Sequence, residues 1–91
     1  MTVIDLVAKE FHMKPKDLVR ASLKTYLSQK LSRVEADLFM IAKKYGVNNV
    51  FDLDSKMKEG IISEKEAYED YFLFDNLEAE REKIKVFLEK L

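Results

Sequence analysis

The stretch LSQKLSRVEADLFMIAKKYG, residues 27–46, decides the fold. Leu27, Leu31, Val34, Leu38, Ile41 and Tyr45 recur in steps of 4, 3, 4, 3 and 4. That spacing places all six on one narrow stripe of an α-helix, the kind that packs against one neighbouring helix. Gly46 follows as a helix-ending residue. Upstream, the helical pattern reaches back to Pro15, which suits a first helical turn because its missing N–H would be unpaired there anyway. Ser32 and Glu35 spell a capping box that could open a new helix. The apolar phase runs through them unbroken, so one helix over 15–45 is expected.

The flanks read the same way. Thr2 and Asp5 cap a first helix over 3–13, with Ile4, Val7, Ala8 and Phe11 at helical spacing. Asn49 caps a short helix over 50–59 that Gly60 closes, with Val50, Leu53 and Met57 inward. Ser63 and Glu66 form a second capping box, opening a last helix towards Leu91 along Ile84, Leu88 and Leu91. No segment alternates as a strand does. The expectation is an all-α single domain over 1–91: an elongated helical bundle of two long and two shorter helices.

Thirty-one helical residues span about 46 Å. A compact chain of 91 residues has a radius of gyration near 12 Å. The long helices therefore either kink or form an extended hairpin whose stripe needs a cover. A second copy supplies that cover on this reading, which makes Leu27, Leu31, Val34, Leu38 and Ile41 a dimer seam.

Composition narrows the chemistry. There is no cysteine, hence no disulfide and no thiolate site. No long apolar run and no basic-then-apolar leader is present, so a cytoplasmic protein without membrane contact is expected. The thirteen Lys, three Arg and ten Glu resemble a thermophile balance. Residues 1–46 carry nine Lys/Arg against five Asp/Glu, and residues 47–91 seven against twelve. The two halves are expected to attract each other, within the chain or between copies.

Catalytic and metal signatures are missing. His12 stands alone near a helix end, where a cation complements the dipole. No His or Cys cluster suits zinc or di-iron. Two glycines cannot cradle a phosphate. Asp52 and Asp54 lack the rest of a calcium loop. Neither an enzyme, a cofactor nor a metal is expected.

Two groups of side chains remain. Lys14, Lys16, Arg20 and Lys24 are basic, the last three in an i, i+4 row, and could meet nucleic-acid phosphates. No aromatic interleaves with them, which weakens that reading. The other group is AYEDYFLFDNLEAE, residues 67–80. Tyr68, Tyr71, Phe72 and Phe74 cover about 160° of the helix at 100° per residue, wider than one neighbour can bury. The short helix can cover part of it. A partner protein could take the rest through Tyr68, Asp70, Tyr71, Phe74 and Glu78.

The stretch VIDLVAKEFHMKPKDLVRASLKTYLSQKL, residues 3–31, resembles the helical half of ribbon-helix-helix proteins at Arg20, Ser22, Leu23, Tyr26 and Leu27. More loosely, KKYGVNNVFDLDSKMKEG followed by EDYFLFDNLEAE is similar to the C-terminal halves of small prokaryotic antitoxins. Only Met1 and Thr2 stand where ribbon-helix-helix proteins carry their base-reading strand. The resemblance thus implies dimerisation, phosphate contact near Lys14 and Lys16, and neutralisation of a toxin by the acidic, aromatic C-terminal half. The function expected is a non-enzymatic, antitoxin-like protein-interaction module. The alternatives are a small nucleic-acid-associated regulator or a structural dimer.

Overall fold

Helix-start and helix-stop chemistry partitions the chain. The computed structural model describes residues 1–91 as four helices: α1 (Val3–Glu10), α2 (Pro15–Tyr45), α3 (Val50–Lys58) and α4 (Glu64–Glu89). Thr2 and Asp5 form the expected capping box, the Asp5 N–H donating to Thr2 Oγ1 and the Thr2 N–H to Asp5 Oδ2. Asn49 Oδ1 accepts from the Asp52 N–H at 2.8 Å. Ser63 stands at the N-cap of α4 but its hydroxyl makes no capping bond. Ser32 lies inside an unbroken α2, where the continuous apolar stripe prevails over the local capping signal.

Three helices end with one device. After α2, the Val47 N–H donates to the Ala42 carbonyl and the Gly46 N–H to Lys43, with Gly46 at φ 64°. After α3, Ile61 donates to Lys56 and Gly60 to Met57, with Gly60 at φ 75°. These are Schellman endings, which need a left-handed residue just past the helix. After α1 the same pair of bonds runs from Met13 to Ala8 and from His12 to Lys9. There the left-handed residue is His12, at φ 55°. This ending stops α1 at Glu10, short of the 3–13 expected.

α4 runs antiparallel to α2. The ion pair Lys30–Glu80 (3.3 Å), the pair Lys44–Asp70 (2.7 Å) and the hydrogen bond from Arg20 to the Leu91 backbone oxygen mark the register. Each joins a residue of the basic half to one of the acidic half. The core fills this seam: Val34, Leu38 and Ile41 of α2 meet Phe74, Leu77 and Ile84 of α4, with Val47 and Leu53 closing the far end. Leu27 and Leu31 pack at its margin. The stripe assigned above to a second copy is thus covered by the chain's own α4. Two long helices in antiparallel contact satisfy it without a second chain.

The result is an all-helical rod of 61 × 19 × 18 Å with a radius of gyration of 19.2 Å. Only ten residues are buried, and Ala8 is the sole one before Val34. No helix is long and apolar enough to cross a membrane.

One polar cluster pins the seam. Asp70 Oδ2 accepts from Lys44 Nζ at 2.7 Å and from the Tyr45 hydroxyl at 2.5 Å. The Lys44 bond first, then the Tyr45 bond, holds the Asp70 carboxyl below the usual carboxylate range. The same bond to Asp70 raises the Lys44 ammonium, while burial and then Asp70 push the Tyr45 phenol up.

Two outcomes follow for stability. A lowered carboxyl contributes fully above about pH 4 and loses its contribution as pH falls through the depressed folded value. The raised Lys44 and Tyr45 contribute fully below about pH 10 and lose it as pH rises further. Asp70→Asn should therefore cost about 1 kcal/mol near neutrality and flatten the acid limb of a thermal-stability profile. His12→Gly, relieving a left-handed side chain, should add about 1 kcal/mol, whereas β-branched His12→Val should subtract at least as much. Thermal unfolding followed by circular dichroism reads both.

Candidate functional site

A helix with apolar groups on more than one side must divide them between core and surface, and α4 does so by phase. Phe74 shares its phase with Ala67 and Leu77 and is 1% exposed. Tyr68 and Phe72 lie more than 100° away around the helix and are 57% and 49% exposed. Tyr71 sits between the two groups, half-buried against the core. The Tyr68 and Phe72 rings meet edge to face at 5.0 Å, and Tyr71 and Phe72 at 5.4 Å. Such contacts hold the exposed rings in one arrangement.

Of the five residues expected to bind a partner, three are engaged inside the chain. Phe74 fills the core. Asp70 is committed to Lys44 and Tyr45. Glu78 Oε2 accepts the Val50 N–H at 3.0 Å, satisfying a free donor at the start of α3. Tyr68 is open, and Tyr71 offers one edge. Phe72, outside those five, belongs to the exposed surface one turn after Tyr68, with Glu64 one turn before Tyr68 and Asp75 one turn after Phe72, both exposed. Its phase was the available signal: it stands two residues from Phe74, on nearly the opposite side of the helix.

The basic group is also divided. Arg20 donates to the Leu91 backbone oxygen. The last turn of α4 has no basic residue of its own, so Arg20 supplies the cation that its C-terminal dipole favours. Lys16 and Lys24 flank Arg20 on the same side of α2, and Lys14 occupies the extended N-cap without a side-chain capping bond. All three lysines are exposed.

Antiparallel pairing of the long helices sorts charge by end. Residues 1–30 and 81–91 share one end and carry ten Lys/Arg against five Asp/Glu. Residues 31–80 form the other, with six against twelve. The exposed rings of α4 stand on the acidic end.

A cleft of about 700 Å³ opens beside Gly46, between Phe39, Lys43 and Glu35 of α2 and Glu78 and Arg81 of α4. Arg81 Nε is buried there with the Glu82 carboxylate at 3.4 Å and no hydrogen bond. The charges of this cleft cancel, and no group of three His, Cys, Asp or Glu side chains anywhere in the chain could hold a metal ion.

No curated protein and no solved structure matches the chain at a significant level. A family model spans residues 1–91 in full, and the chain belongs to the Uncharacterized protein MJ0235 family.

Proposed function

We propose that the protein is a non-enzymatic interaction module that binds a partner protein through the outer face of α4, and that it works as a homodimer. The observation carrying this reading is the exposed, mutually packed pair Tyr68 and Phe72 on an acidic helix face. Amphipathic aromatic rings are enriched where protein interfaces concentrate their binding energy. Glu64, Glu69 and Asp75 around them favour a partner with a basic surface. That is the antitoxin-like reading, with the contact moved outward from Phe74 to Phe72. Each ring removed from a desolvated contact is worth roughly 2 kcal/mol or more.

The seam of α2 and α4 does not serve self-association on this reading, since it is filled. Nucleic-acid binding is the weaker alternative, because Arg20 is already bound at the end of α4.

Co-expression with the product of the adjacent gene tests the partner reading. Tyr68→Ala/Phe72→Ala should abolish capture of that product while leaving helix content and melting temperature nearly unchanged. Phe74→Ala should instead destabilise the fold by about 3–5 kcal/mol. Capture that survives the Tyr68/Phe72 double variant rules the α4 face out as the contact.

A further inference from the structure

The side of α4 turned away from α2 carries a pattern of its own. At about 100° per residue, Tyr68, Phe72, Asp75, Ala79, Lys83 and Val86 fall within about 80° of one another, opposite the buried Phe74, Leu77 and Ile84. All six are exposed, as is Lys90, which continues the stripe. From Tyr68 to Lys90 its steps are 4, 3, 4, 4, 3 and 4. They read the same in both directions about Ala79.

A helix laid antiparallel on its own copy, about a two-fold axis at Ala79, therefore sets Phe72 against Val86, Asp75 against Lys83 and Tyr68 against Lys90, each twice. A two-fold contact has this form: residue i meets j, and j meets i. The chemistry fits at each match. Asp75 and Lys83 make no ion pair within the chain, so both are free to pair across the axis. Phe72 and Val86 are half-exposed, with the half-exposed Phe87 beside Val86. A lysine ammonium over a tyrosine ring gains cation–π attraction. Ala79 adds no bulk where the two helices cross most closely.

The charge of the whole rod selects a second copy and sets its direction. Antiparallel packing lays the basic end of one rod, with ten Lys/Arg against five Asp/Glu, along the acidic end of the other, with six against twelve. Parallel packing would set like end on like end and Asp75 on Asp75, which opposes association. The basic surface that the acidic rings call for is present on the chain itself.

We infer that two copies of the chain pair through the outer faces of α4, antiparallel about a two-fold axis at Ala79. This rests on the reading of that face as a contact surface given above, and names its occupant.

Sedimentation velocity of the full chain over a concentration series, without the adjacent gene product, tests the pairing. Wild type should dimerise, and so should a control altered on α2, Phe39→Glu/Met40→Glu. Asp75→Lys or Lys83→Asp alone sets two like-charge pairs in the contact and should raise the Kd at least about tenfold. The double variant Asp75→Lys/Lys83→Asp re-forms both pairs and should return the Kd close to wild type. Both positions are exposed, so circular dichroism should show an unchanged fold. A wild type that stays monomeric at every concentration overturns the pairing, as does a double variant that binds no tighter than the single ones.

Nitroxide labels read the direction, since the chain has no cysteine of its own. At Asn76→Cys, close to the axis, labels on the two copies should lie within about 20 Å. At Lys65→Cys each lies about 21 Å from the axis along the helix, so the labels should be about 40 Å apart or more. A short distance at Lys65→Cys overturns the antiparallel contact. Failure here and failure of the partner reading are separable. A monomeric chain that still captures the adjacent gene product overturns the self-pairing alone. A chain whose dimer obeys the charge swap but captures nothing upholds the pairing and overturns the other reading.

Discussion

The antiparallel seam between α2 and α4 sets every other property of this chain. Two helices that bury one narrow stripe each can form a long contact but not a thick one. The core is a single file of residues, Val34, Leu38 and Ile41 against Phe74, Leu77 and Ile84, widened only where Val47 and Leu53 cap it. A 61 Å rod of 91 residues follows directly, as does its small number of buried side chains. Surface-to-volume scaling makes small domains marginal, and an elongated one pays more of that cost than a sphere. Fixed polar ties such as Lys44–Asp70–Tyr45 then matter for register, because a two-helix seam can slide by a heptad with modest loss of apolar contact.

The ends of the rod are shaped by the helix stops. Gly46 and Gly60 turn the chain twice within fifteen residues and fold α3 back onto α4, giving the acidic end a true core. Lys56 Nζ reaches back to the Gly46 carbonyl at 3.0 Å and Asn49 caps the start of α3, so this end is tied by polar bonds as well. At the basic end the corresponding turn uses His12 and folds α1 away from α4. One end is consequently finished and the other open.

Much of this was legible from the residues. The heptad stripe identified α2 and its packing face; Thr2 and Asn49 marked two helix starts by capping bonds they make, Pro15 marked a third as a first-turn residue, and Ser63 marked the fourth without making its bond. What the stripe could not reveal was its partner. A narrow apolar face is satisfied equally well by another helix of the chain or by a second copy, and only the register of distant residues decides. The same limit divided the α4 aromatics. Their breadth signalled two covers, yet the burial of Phe74 and exposure of Phe72 depend on where the seam meets the helix. Asp70 and Glu78 resembled surface acids because their partners, Lys44, Tyr45 and the Val50 N–H, lie 25 to 28 positions away.

The apolar surfaces left exposed lie at opposite ends of the rod. The groove between α1 and α2 is at the basic end on the back of α2, and Tyr68 and Phe72 stand at the acidic end on the outer face of α4. A single-file seam produces this separation: α4 covers only one side of α2 and α2 only one side of α4, so each long helix keeps an apolar side that the other cannot reach.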